Sequence, residues 1–312
     1  TIIEKFKSIT GIEKRRYAAP DQCSSDLAFL ASEKAIENAG IDPDTIDYII
    51  FAHNFGDIKY GTSQSDLVPS LAARVKQKLQ IKNPKCVAYD IIFGCPGWIE
   101  GVLQANAYIK SGMAKRCLVI GSETLSRIID PHDRDSMIYS DGAGATIIEA
   151  SDDETGMLAY ESATFAYEEA GYLFFGKSYS PDLDEDVRYI KMYGRKIYEF
   201  ALSQVPAAMK SCLDQSGLDI NDVKKILIHQ ANEKMDEAII HRFYKLYDKS
   251  VPKDIMPMSI HELGNSSVAT VPTLLDLLIQ GKIENQEIHK GDVVIFASVG
   301  AGMNINAFVY RY

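Results

Sequence analysis

No apolar run in this chain reaches the roughly 18 residues that a membrane-spanning helix requires, which excludes such a helix and leaves no membrane partner expected. Residues 1–16 mix charges into every turn, unlike a secretory signal peptide, so a cytoplasmic protein is expected. Basic charge is in deficit. Thirty-three Lys and Arg stand against 43 Asp and Glu, and the resulting net charge of -10 repels a phosphate backbone, so nucleic acid is not an expected partner. There is no C-x-x-C pair. The five cysteines (Cys23, Cys86, Cys95, Cys117 and Cys212) are an odd number, spaced 63, 9, 22 and 95 apart, and encode neither a disulfide framework nor a zinc site.

What is present is an ordinary globular composition, 46% hydrophobic and 24% charged, over 312 residues. At about 150 residues per unit this is chain enough for two structural units or one large duplicated one. The acidity is localised. Residues 152–186 carry ten carboxylates, among them Asp184 and Glu185, against Lys177 alone, so the rest of the chain is nearly neutral.

The chain repeats itself. Residues 35–52, AIENAGIDPDTIDYIIFA, align without gaps with 212–229, CLDQSGLDINDVKKILIH, at an offset of 177: a helix end, a Gly stop, an Asp-rich turn and a hydrophobic strand. Gly94-Cys95 and Gly264-Asn265 each precede a helical stretch, offset by 170. Gly142-Ala143-Gly144 and Gly300-Ala301-Gly302 each lead into alternating strands, offset by 158. Two halves, 1–150 and 151–312, are therefore expected.

Periodicity predicts helices over 26–38, 65–79 and 97–111 in the first half, with strands over 46–52, 86–91, 116–122 and 145–149. The second half repeats the order, with helices over 193–215, 234–247 and 268–280 and strands over 225–229, near Ile255, 292–297 and 304–310. Alternating strands and helices imply mostly parallel sheets covered on both faces, with a central helical layer shared by the halves. An extra strand over 156–164 opens the second half; the first shows no equivalent before its first helix, which leaves open a first strand missing from the N-terminus.

Cys95 lies between a buried strand and a helix whose expected first residue is Pro96, which places a thiol at a helix N-cap, where the partial positive charge favours thiolate. His229 ends the strand Ile226-Leu227-Ile228, where a doubly wound sheet presents ligands; His53 holds a similar strand end and reads as a capping residue. His132, His241, His261 and His289 read as solvated. Asn265 stands at the position equivalent to Cys95. Two helix N-termini related by the duplication converge on one cavity, which brings Cys95, His229 and Asn265 together.

At this point the chain resembles the β-ketoacyl-acyl carrier protein synthase III group of the thiolase superfamily. The resemblance runs nearly the whole length, through Thr10-Gly11-Ile12, Tyr108-Ile109-Lys110-Ser111-Gly112, residues 130–134, Ser140-Asp141-Gly142-Ala143-Gly144-Ala145, His229-Gln230-Ala231-Asn232 and Gly264-Asn265-Ser266-Ser267. It implies a duplicated five-layered αβαβα fold, a homodimer, and a catalytic Cys95/His229/Asn265 triad. It also implies an acyltransferase needing no metal or cofactor: Cys95 takes an acyl group from a thioester, with the oxyanion held by the amides of Cys95 and Gly302. A malonyl thioester then loses CO2, the Nε2–H of neutral His229 and the Asn265 amide stabilise the enolate, and the product is a β-ketoacyl thioester.

The chain departs from the family's small residues around the nucleophile with Ile92-Phe93-Gly94-Cys95-Pro96-Gly97-Trp98, and Phe93, Pro96 and Trp98 are expected to reshape the pocket for an acyl group other than acetyl. Phe93, Arg134 and Asn232 are the expected substrate contacts. Lys5, Phe6 and Ile9 stand where relatives that use coenzyme A clamp its adenine, although Arg134 is retained, so an acyl carrier protein donor is expected, docking at Lys234, Arg242 and Lys245. The aromatic segment 165–179 is expected to line the pocket or touch a second subunit. A related ketosynthase or acyltransferase of specialised metabolism, and a silent partner subunit, stay as alternatives; the intact triad weighs against the second.

Overall fold

The computed structural model describes residues 1–182 and 186–312; Asp184 and Glu185 of the acidic stretch lie outside the described residues. The first half contributes α1 (Ile2–Thr10), α2 (Ser24–Ala39), β1 (Tyr48–Ala52), α3 (Leu71–Lys78), β2 (Val87–Ile91), α4 (Gly97–Lys110), β3 (Arg116–Thr124) and β4 (Asp141–Glu149). The second contributes β5 (Gly156–Thr164), β6 (Leu173–Gly176), β7 (Tyr189–Met192), α5 (Gly194–Ser216), β8 (Val223–Ile228), α6 (Glu233–Lys245), α7 (Ile260–Leu263), α8 (Thr270–Ile279), β9 (Val293–Gly300) and β10 (Asn304–Arg311). No described helix is long and apolar enough to cross a membrane.

Two four-stranded sheets form, in the orders β2-β1-β3-β4 and β5-β10-β9-β8. β1 runs parallel to β2 and β3, and β8 parallel to β9, while β4 and β10 are antiparallel to their neighbours. The duplication is plain in this order, since β1, β3 and β4 correspond to β8, β9 and β10. Each sheet carries one outer strand the other lacks among the described residues. β5 pairs with β10 over the range the sequence predicts. The strand expected near Ile255, the counterpart of β2, does not form: its carbonyl accepts a single bond from the Ile226 amide, 2.8 Å, and the chain turns away.

The pleat sorts side chains into layers. Ile50 and Val119 point inward with Leu227, Val294, Phe296 and Phe308 of the second sheet, and α4 (Trp98, Ile99, Val102) and α8 (Val271, Leu274, Leu278) fill the space between. The alternating residues Ile49, Phe51, Leu118 and Ile120 face outward onto α2 and α3, and α5 and α6 cover the far face of the second sheet. This is the expected five-layered order of helices and sheets. The helix predicted over 65–79 begins only at Leu71. Pro69 disfavours a helical residue before it, and Ser70 caps the helix by accepting from the Ala73 amide at 3.2 Å.

Candidate active site

The chain between β2 and α4 makes a tight turn in which the Gly97 amide donates to the Gly94 carbonyl at 3.1 Å. Pro96, expected as the first helical residue, is the N-cap, so Cys95 sits one residue further out than predicted. Gly94 has φ +67°, and a Cβ there would lie 2.6 Å from the Ala301 nitrogen; a Cβ on Gly300 would in turn run into the Cys95 backbone. The two halves therefore touch backbone to backbone at the nucleophile. Gly300 and Ala301 line the cavity and Gly302 does not. The expected oxyanion donor Gly302 thus lies outside the lining, while its neighbour Ala301 stands on the wall.

His229 follows directly after β8 and is 3% exposed. Its Nδ1 lies 2.6 Å from the Thr270 hydroxyl, which donates to the Ser267 carbonyl at 3.0 Å. Both bonds form together when Nδ1–H donates to Thr270, leaving Nε2 a bare acceptor; turning the hydroxyl onto Nδ1 puts the ring proton on Nε2 instead. Asn265, 4% exposed, accepts the Ser267 amide on Oδ1 at 2.9 Å, so Nδ2 is the atom left to donate to a ligand. Ser267 also donates from Oγ to Cys95 Sγ, 3.3 Å. Of the run Gly264-Asn265-Ser266-Ser267, only Asn265 was expected to serve the site, yet Ser267 is the residue that contacts the sulfur.

Burial pushes the Cys95 thiol up to about 11, against the opposing pull of the Ser267 hydroxyl, and pushes the His229 ring down to about 3. Burial thus works against the thiolate that the helix N-terminus favours. The His229 Cε1–H resonance is expected to stay fixed between pH 5 and 8; a titration near the ordinary histidine value of about 6.5 would show a solvated ring.

Cys95, His229, Asn265, Asn232 and Arg134 line one cavity of about 730 Å³, together with Lys5, Phe6 and Ile9. Asn232 also caps α6, accepting from the Met235 amide at 3.1 Å. Phe93 lies outside the lining and Ile92 takes its place, because side chains alternate along the extended segment. Trp98 packs in the central layer, 6.3 Å from Phe296, and Pro96 is buried outside the lining. Phe93, Pro96 and Trp98, expected to reshape the pocket, thus all stand outside its lining, where Ile92 is found. Phe174 and Phe175 do line the cavity, from the β6–β7 hairpin, with Phe55 stacked edge-on against Phe175 at 5.0 Å. Lys234, Arg242 and Lys245 are all exposed on α6. Helical spacing puts Lys234 and Lys245 on one stripe, and Arg242 turns toward α5 to donate to the Leu202 carbonyl, 3.1 Å. His53 is a bonded strand-end residue, with Asp90 at 3.0 Å on Nε2 and the Gly56 amide at 3.1 Å on Nδ1.

A duplicated α/β fold whose two helix-entry turns present a cysteine and an asparagine to one cavity, with a histidine between them, is that of the thiolase-like condensing enzymes. The model for 3-oxoacyl-[acyl-carrier-protein] synthase III matches residues 89–165, and that for its C-terminal part matches 213–312. The β-ketoacyl-[acyl-carrier-protein] synthase III of Erythrobacter litoralis is 32% identical over 97% of this chain and 88% of its own length. Synthase III 1 of Vibrio vulnificus is 34% identical over 97% and 89%. Among solved structures, the synthase III of Thermus thermophilus superposes with a TM-score of 0.84 at 29% identity, over 99% of this chain and 90% of that one. The priming β-ketosynthase of the R1128 polyketide pathway also gives 0.84, at 25% identity over 99% and 87%. The chain belongs to the β-ketoacyl-acyl carrier protein synthase III family and is an acyltransferase of the condensing type.

Proposed function

We propose that the protein joins an acyl group larger than acetyl to a malonyl unit carried on acyl carrier protein, using Cys95 as nucleophile and His229 and Asn265 as enolate stabilisers. The observation that carries this reading is the single cavity lined by all three side chains. As Cys95 attacks the acyl thioester, its proton passes to His229 Nε2 and on to the departing thiol sulfur, while the Cys95 and Ala301 amides hold the oxyanion. With the Thr270 hydroxyl turned onto Nδ1, Nε2–H and Asn265 Nδ2–H then face the malonyl thioester oxygen. Loss of CO2 gives the enolate, its carbon attacks acyl-Cys95, and Cys95 leaves as thiolate and takes a proton from solvent. These steps involve no metal or cofactor beyond the thioesters. A silent partner subunit would have no use for this shared cavity.

We read residues 1–150 and 151–312 as the duplicated halves, working as a homodimer in the cytoplasm. The outer edge of β2 is unpaired among the described residues, with Val87 and Ile92 exposed beside it, and all five cysteines are free, as suits a reducing compartment. Lys234 and Lys245 form the docking stripe for an acidic carrier, and Arg134 and Asn232 contact its prosthetic arm. Carrier-bound acyl thioesters are expected to acylate Cys95 faster than coenzyme A thioesters. The advantage should shrink with added salt, which screens exposed charges over about 8 Å at physiological strength, and with charge reversal at Lys234 or Lys245. Chromatography of products from a series of acyl donors tests the whole reading: β-ketoacyl thioesters longer than the acetyl-derived product support it, and product from acetyl alone contradicts it.

A further inference from the structure

We propose that Glu123, Asn54 and Ser267 form a support that positions the nucleophile: Glu123 fixes the Asn54 amide, and Asn54 sets the Gly94 amide and the Ser267 hydroxyl against Cys95. This support presupposes Cys95 as the nucleophile and adds residues that the condensation chemistry itself does not require. Glu123, near the end of β3, is 1% exposed, and its Oε1 accepts from both the Asn54 backbone amide and Asn54 Nδ2, each at 2.7 Å. In its charged form the carboxylate only accepts, so Nδ2 faces it and Oδ1 faces away. Oδ1 there accepts the amide of Gly94, the residue before Cys95, at 2.9 Å. Nδ2 also reaches Ser267 Oγ at 3.4 Å, and that hydroxyl spends its own proton on Cys95 Sγ, 3.3 Å.

One amide orientation thus sets two neighbours of the sulfur, one from each half of the chain. The Asn54 nitrogen has no lone pair to take a proton, so this is no relay, and Glu123 is a positioning residue rather than a base. The titratable groups around Glu123 are His53 beyond β1, Asp141 at the start of β4 and Cys95 itself. His53 is held by Asp90 and Gly56, and Asp141 by the Ala18 and Ser126 amides. Burial pushes the Glu123 carboxyl up to about 7. Its charge raises the Cys95 thiol, whereas the Ser267 bond lowers it. Loss of charge and loss of support therefore act on the thiol in opposite directions, which separates them.

The test is alkylation of Cys95 by iodoacetamide across pH, read by intact mass, beside single-turnover acylation by an acyl thioester. Alkylation needs no substrate, so its outcome stands apart from the success or failure of the condensing reading. Glu123→Gln keeps an acceptor oxygen and loses the charge: the alkylation midpoint moves to lower pH while acylation stays close to the wild-type rate. Glu123→Leu loses both, so acylation at saturating donor slows about 10-fold or more with KM unchanged. Ser267→Ala moves the midpoint to higher pH. An unmoved midpoint in the Gln or Ala variant, or wild-type acylation by a folded Leu variant, overturns the proposal; should the Leu variant fail to fold, the other two decide.

Discussion

Serine in place of Cys95 will lower condensation by about 10⁴-fold or more, the scale of a lost nucleophile. A hydroxyl is far less acidic than a thiol, and burial has already reduced the basicity of the His229 imidazole, with its pKa down to about 3. The remaining cysteines offer no substitute: burial pushes Cys86 up to about 11 and Cys117 and Cys212 up to about 12, and neither these three nor Cys23 line the cavity. Ionisation does not single out Cys95, since its own thiol is raised as well. Access to the cavity does. Steady-state condensation with a saturating acyl donor checks this, and retention of even a hundredth of the wild-type rate would show that another group carries the acyl chain.

The second large effect separates the two half-reactions. His229→Ala and Asn265→Ala are each expected to slow decarboxylation of a malonyl thioester by about 10²-fold or more, the scale of one oxyanion donor removed from a closed site. Acylation of Cys95 should survive the Asn265 change better than the His229 change, because His229 also handles the thiol proton whereas Asn265 Nδ2 donates only to the enolate oxygen. Release of CO2 and acyl-enzyme formation, measured separately on each variant, check the division. Equal loss of both half-reactions in Asn265→Ala would count against it.

The duplicated strands β1, β3, β4, β8, β9 and β10 and the equivalence of Cys95 and Asn265 were legible in the sequence because duplication converts one half's pattern into a check on the other, whereas α1, α7, β6 and β7 carry no such check and the strand expected near Ile255 does not form. Side chains whose role depends on what lies across the cavity were not legible. Phe93 stands next to Ile92, and only the pleat of the segment decides that Ile92 faces the cavity. Gly302 and Ala301 are adjacent in the repeated Gly-Ala-Gly, and only the folded turn shows that Ala301 is the one on the cavity wall. Position at a helix entrance points toward a thiolate, whereas burial raises the thiol, and a linear pattern does not report burial. Glu123 and Asn54 carry no motif at all, since their partnership spans 69 residues and two strands.

Mass analysis of the intact protein after brief exposure to an acyl thioester, followed by peptide mapping, bears most directly on the assignment of Cys95. A single added acyl group on the peptide containing Cys95, discharged when the malonyl thioester is supplied, is the predicted result. An acyl group on Cys23, Cys86, Cys117 or Cys212, or condensation that proceeds while Cys95 is never acylated, would contradict it.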